Sequence, residues 1–109
     1  MSPHPIVEEL DRDAVKHGLA DGSIILVDVR EPHEYAAGRI PGARLMPMSG
    51  FNPTALPDEP GKRVVLSCQS GKRSLTALDW AQEEGRPDVR AHYAGGFADW
   101  KNAGEPVER

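Results

Sequence analysis

The chain holds one thiol, Cys68, and the residues after it bear on what that thiol can do. They run Cys68-Gln69-Ser70-Gly71-Lys72-Arg73-Ser74 and follow the apolar stretch Val64-Val65-Leu66-Ser67. An ordinary cysteine titrates near pH ~8.5, so little of it is thiolate at neutral pH. Small polar residues running into a helix start place backbone N–H groups without helical partners around the sulfur, and the helix dipole there favours an anion. Gly71 permits a tight curl that lets successive N–H groups converge on one point. Lys72 and Arg73 add full positive charges. Together these features describe an activated cysteine nucleophile that needs no neighbouring histidine as base. A lone cysteine is commonly an inert buried small residue. The glycine and two cations within five residues set this one apart.

Other chemistries fit less well. Ser70-Gly71-Lys72-Arg73-Ser74 has some likeness to a phosphate-binding P-loop, but Leu66 stands where the first glycine belongs and Arg73 separates Lys72 from Ser74, so nucleotide binding is not expected. A single cysteine excludes an internal disulfide and paired-cysteine zinc motifs. His4, His17, His33 and His92 show no metal-ligand spacing. No metal and no cofactor are therefore expected. The net charge of -4 and the lack of a basic block argue against nucleic acid. No apolar run reaches the ~20 residues of a membrane span. Met1-Ser2-Pro3-His4-Pro5 lacks the pattern of a secretory signal, which leads us to expect a cytoplasmic location.

The elements that must hold the loop can be read from the pattern of apolar runs. At 109 residues, 39% hydrophobic and 28% charged, the chain is expected to fold as one domain over residues 1–109. Ile24-Ile25-Leu26-Val27 and Arg63-Val64-Val65-Leu66-Ser67 read as strands covered on both faces. Ala43–Met46 and Val89–Tyr93 are weaker candidates, the second alternating Val89, Ala91 and Tyr93 against Arg90 and His92. Ile6-Val7 suggests a short edge strand. Asp11 is placed as an N-cap with Leu10 and Val15 as a hydrophobic staple, Ala14, Val15 and Leu19 as the apolar face, and Gly22 as the stop. Pro32–Ala37 reads as a short helix ended by Gly38. Residues 51–62 read as loop with one helical turn. Ser74–Glu84 is expected to be helical, with Leu75, Ala77, Leu78 and Ala81 as its buried stripe. Phe97, Trp100 and Ala103 share a face of a last helix, and both Trp80 and Trp100 are expected in packing. Strands alternating with helices predict an α/β fold, a mostly parallel sheet with helices on both faces. Ligands of such sheets bind beyond the carboxyl ends of the strands, where Cys68 stands.

Three stretches of this chain resemble the rhodanese-like sulfurtransferases. The loop from Cys68 carries glycine three on and arginine five on. Asp28-Val29-Arg30-Glu31 through Glu34-Tyr35 and Gly38-Arg39-Ile40-Pro41-Gly42-Ala43 is similar to the family's N-terminal signature, with Arg39 where many members carry histidine. Tyr93-Ala94-Gly95-Gly96-Phe97, Trp100 and Gly104-Glu105-Pro106 is similar to the C-terminal one. The resemblance implies a rhodanese-like three-layer fold with about five strands. It implies a ping-pong transfer in which Cys68 takes the outer sulfur of thiosulfate, or of a persulfide donor, and passes it to cyanide or a thiol. Basic loops in the family go with thiosulfate, and Lys72 and Arg73 fit that class.

The roles that follow are Cys68 as sulfur carrier, with the N–H groups of Gln69, Ser70, Gly71, Lys72 and Arg73 as its cradle. Asp28 and Arg30 are expected to be structural, Arg30 pairing with Glu34 and Asp28 accepting loop hydrogen bonds. Gly38, Gly42, Gly95 and Gly96 are expected to be turn residues, and His33 a solvated helix position. The expected partners are a small-molecule sulfur donor and a thiol or cyanide acceptor. A protein acceptor in a persulfide relay is the alternative. Phosphatase or arsenate reductase chemistry fits less well, because related oxyanion loops place arginine six residues after cysteine rather than five.

Overall fold

The computed structural model describes residues 5–109. Five parallel strands form one sheet: β1 (Glu8–Leu10), β2 (Ile24–Asp28), β3 (Arg44–Leu45), β4 (Arg63–Ser67) and β5 (Ala91–Tyr93). Four helices connect and cover them: α1 (Arg12–Asp21), α2 (Pro32–Ala37), α3 (Lys72–Glu83) and α4 (Gly96–Asn102). The strand order is β1-β5-β4-β2-β3. From β2 the chain continues to β3 on one side, and from β4 it continues to β5 on the other. The carboxyl ends of β2 and β4 therefore flank the point where the order reverses, the usual ligand crevice of such sheets.

The two core clusters lie on opposite faces of the sheet, which is why β2 and β4 are apolar at successive positions. Ile25, Val27, Val64 and Leu66 pack against Ala77, Leu78 and Ala81 of α3. Ile24, Leu26, Val65, Ala91 and Tyr93 pack against Val15 of α1 and Phe97 and Trp100 of α4. Helix α1 begins at Asp11, whose carboxylate accepts from the Ala14 N–H at 2.8 Å. Such a cap stabilises a helix by about 1 kcal/mol. Gly22 ends α1, Pro32 opens α2 and Gly38 closes it, as the sequence signals.

Several expectations are corrected. The edge strand is Glu8–Leu10, and Ile6 and Val7 lie exposed before it. An edge strand tolerates charges, so the apolar pair was the wrong marker. Helix α3 starts at Lys72, two residues early, because Gly71 rather than Arg73 makes the turn. Leu75 is exposed and Ser74 is buried in its place. Ala14 and Ala103 are exposed, while Gly18 is buried against Ile24. Trp100 is core, but Trp80 is 42% exposed and meets Phe51 at the surface. His92, in the polar half of the β5 alternation, is 1% exposed, because α3 covers that side of the strand. His4 lies outside the described residues. Among the described residues no helix is long and apolar enough to cross a membrane.

Candidate active site

Cys68 follows the last residue of β4 and is 1% exposed. Its backbone is fixed from the far side, where the Phe97 N–H donates to the Cys68 carbonyl at 2.8 Å and the Ala98 N–H to the Gln69 carbonyl at 3.0 Å. The turn from β5 into α4 thus clamps the turn from β4 into α3. Two glycines allow the approach. Gly71 sits at φ +87, and a Cβ there would lie 2.3 Å from the Ala94 carbonyl oxygen. Gly96 sits at φ +64, and its Cβ would lie 2.5 Å from the Cys68 carbonyl oxygen. Both positions exclude any side chain, so Gly96 does more than make a turn.

The sulfur itself is held by α3. The Gly71 N–H donates to Sγ at 3.1 Å and the Ser74 N–H at 3.4 Å, with Ser74 Oγ 3.5 Å away. Burial pushes the Cys68 thiol up, but hydrogen bonds from the Ser74 hydroxyl and from the Ser74, Ser70 and Gly71 amides outweigh it, so the net shift is downward. Of the five residues expected to supply the cradle, Gly71 reaches Sγ with hydrogen-bond geometry, and the Ser70 amide adds to the downward shift. The amides of Gln69, Lys72 and Arg73 do not bond to Sγ. Ser74 was missed by the sequence reading. Its position, third in α3, is the signal: side chains of a first turn lean back toward the helix start.

The two cations differ. Lys72 is exposed, and among the described residues its ammonium has no carboxylate partner. Arg73 is half-buried and forms a fork with Glu34 of α2 at 2.6 and 2.9 Å. The Arg73 guanidinium holds the Glu34 carboxyl at about 2, against 4.5 ordinarily. Glu34 is thus not the partner of Arg30, as the sequence suggested. Arg30 instead bonds Asp28 through Nε and Nη2, at 3.1 and 2.8 Å. Its guanidinium also donates to the Gly38 carbonyl at 2.7 Å and lies 4.3 Å over the Phe97 ring. Asp28 accepts the Arg30 N–H at 2.9 Å, so its loop-holding role stands. Both side chains are more than nine-tenths buried, so they tie β2, α2 and α4 together beside the loop. His33 is exposed on α2.

A cavity of about 260 Å³ opens beside this cluster, lined by Arg30, Glu34, Gln69, Phe97, Lys101 and Arg109 among others. The arrangement provides a buried sulfur with a stabilised thiolate, a rigid backbone on both sides and positive charge nearby. The site can do nucleophilic chemistry at sulfur.

Comparison with known proteins gives concordant results. Residues 11–103 match the rhodanese-like domain model. A sulfurtransferase of Allochromatium vinosum is 36% identical over 104 residues, covering 94% of this chain and 95% of its relative. An uncharacterized Synechocystis protein is 44% identical over 85 residues, 78% of this chain, and the match spans 47% of that longer protein. Among solved structures, a human single-domain sulfurtransferase superposes with a TM-score of 0.71 at 31% identity, covering 94% of this chain and 97% of that one.

Proposed function

The chain belongs to the rhodanese-like domain family, and from that premise we propose that it is a thiosulfate sulfurtransferase working through a persulfide on Cys68. The observation that carries this reading is the Cys68 sulfur itself, buried yet ringed by the Gly71 and Ser74 amides and the Ser74 hydroxyl. Such a ring stabilises the attacking Cys68 thiolate, and stabilises it again as the leaving group when the persulfide is cleaved.

The bonds balance without a cofactor. The Cys68 thiolate attacks the outer sulfur of thiosulfate. A new S–S bond forms at Sγ, the bond within thiosulfate breaks, and sulfite leaves with the electron pair. Cyanide or a thiol then attacks the outer sulfur of the persulfide, and the Cys68 thiolate leaves. The amides of Gln69, Lys72 and Arg73, at or next to the first turn of α3, are the donors left for the outer sulfur. A persulfide donor enters by the same first step.

The exposed ammonium of Lys72 draws in the dianion. Arg73 contributes less than the sequence suggested, because Glu34 already balances its charge. The activity resides in one domain, residues 1–109, acting in the cytoplasm. The acceptor is cyanide in the assay and a small thiol or a protein thiol in the cell.

Purified protein given thiosulfate and cyanide should form thiocyanate, and Cys68→Ser should form none while remaining folded. Substantial turnover in that variant sinks the reading. An aryl phosphate should be hydrolysed no faster than background, since the loop from Cys68 to Arg73 is one residue short of an oxyanion cradle. The reverse ranking would make the protein a phosphatase.

A further inference from the structure

The proposed chemistry needs the Cys68 proton gone, yet the sulfur is buried, and the side chain hydrogen-bonded to it is the Ser74 hydroxyl. A buried titratable residue that this chemistry does not use lies one hydroxyl away from the sulfur. His92 on β5 is 1% exposed, and its Nδ1 lies 2.7 Å from Ser74 Oγ, the hydroxyl that faces Cys68 Sγ. Its other nitrogen, Nε2, is buried and has no hydrogen-bond partner among the described residues. An orphaned buried ring nitrogen needs an explanation. Glu9 offers one, since its carboxylate lies 3.7 Å from Nε2. Glu9 on β1 is the registered neighbour of His92, and its side chain is 66% exposed.

We propose that Ser74, His92 and Glu9 form a proton wire that carries the Cys68 proton from the core to the sheet edge. In this wire His92 is a positioning residue that acts through Ser74. In the thiol state, Sγ–H donates to Ser74 Oγ, the serine O–H donates to Nδ1, and Nε2 carries the ring proton toward Glu9. To reach the thiolate, the S–H bond breaks and an O–H bond forms on Ser74. The original serine O–H breaks as an N–H bond forms at Nδ1, and the Nε2 proton leaves to the Glu9 carboxylate and then to water. The electron pair stays on sulfur. The ring ends neutral with its tautomer exchanged. Its Nδ1–H now donates to Oγ, which forces the serine O–H toward the thiolate.

The surroundings fit a neutral ring. Burial pushes the His92 imidazole down from its ordinary value, and Glu9 opposes that only in part. Of the elements packed against His92, β1 presents Glu9, α3 presents Ser74 with Cys68 behind it, and β4 presents the apolar Leu66 in register. The orphan at Nε2 is then the exit of the wire rather than a packing defect.

This inference rests on the persulfide reading for its purpose, but its test does not use sulfur transfer. The pH dependence of Cys68 alkylation by iodoacetamide would be measured in the wild type, His92→Gln, Ser74→Ala and the double variant. Each single variant should move the midpoint upward and slow alkylation at neutral pH by roughly tenfold, as one unit of pKa requires. The double variant should be no slower than Ser74→Ala, because His92 acts only through that hydroxyl. Multiplying effects, or an unchanged His92→Gln profile, would overturn the wire. A second measurement needs no variant. Nitrogen NMR of the wild-type His92 ring should show the proton moving from Nε2 to Nδ1 as Cys68 ionises, and alkylating Cys68 should abolish that step. A tautomer that stays fixed through the Cys68 titration would refute the proposal. Lost thiocyanate formation with an intact wire would instead refute the persulfide reading.

Discussion

Two strand-to-helix turns meet at the carboxyl end of the sheet and do different work with similar geometry. The turn after β4 carries Cys68 and curls at Gly71. The turn after β5 curls at Gly96 and carries no reactive side chain of its own. Each places a left-handed glycine against the other's backbone carbonyl. The first turn points its amides inward at a sulfur, and the second points the Phe97 and Ala98 amides at the backbone of the first. Chemistry sits on one turn, and the precision of that chemistry is supplied by the other. A nucleophile that must meet a small donor at a fixed distance requires both.

The sharpest way to break this division is a methyl group. Gly96→Ala should push the Cys68 and Gln69 backbone out of place. Strain of about 1–3 kcal/mol should appear in thermal unfolding. A displacement near 1 Å should cost on the order of a hundredfold in kcat/KM. Gly71→Ala meets the Ala94 carbonyl instead and should do comparable damage. If Gly96→Ala keeps full activity, the second turn is not a clamp.

The loop was legible in the sequence, and the clamp was not. Cys68, Gly71 and Lys72 stand within five residues, so their chemistry shows in the spacing. β4 and β2 were also legible, because strands covered on both faces must be apolar throughout. Phe97 acts through its backbone N–H, which every residue but proline has, so its identity carries no sign of that role. Glu34 and Arg73 lie 39 residues apart and His92 and Ser74 lie 18 apart, so only the folded sheet brings them together. Burial of His92 was hidden by alternation: Arg90 and His92 look alike in a polar pattern, and only α3 decides which is covered.

Charge gives a smaller effect that separates the two cations of the first turn. Lys72→Ala should lower kcat/KM for thiosulfate by about tenfold at low salt, since a charge-assisted contact is worth ~1.5–3 kcal/mol before solvent weakens it. Added salt should shrink that difference. Arg73→Ala should cost less, because Glu34 already neutralises it. Steady-state rates for both variants across ionic strength check this, and equal losses would place Arg73 on the substrate.

The smallest effect concerns the Glu34–Arg73 pair that ties α2 to the first turn. Glu34 titrates at about 2 in the fold against 4.5 ordinarily, so the pair's stabilisation is present above 4.5 and lost as pH falls through 2. The pair is partly exposed, with side chains at 35% and 24%, so solvent screening limits its worth to about 1 kcal/mol or less. Glu34→Gln should lower stability by that amount near neutral pH and flatten the acid limb of the curve. Denaturant unfolding at several pH values checks it; an unchanged acid limb would remove the pair from the account.

The central claim is that Cys68 carries the transferred sulfur. The most direct measurement is the intact mass of the protein after thiosulfate, with the modified residue located by peptide mapping. If the claim holds, the protein gains one sulfur atom on Cys68, lost on adding cyanide and absent from Cys68→Ser. A protein that turns over thiosulfate without gaining sulfur on Cys68, or that gains it equally in Cys68→Ser, would contradict it.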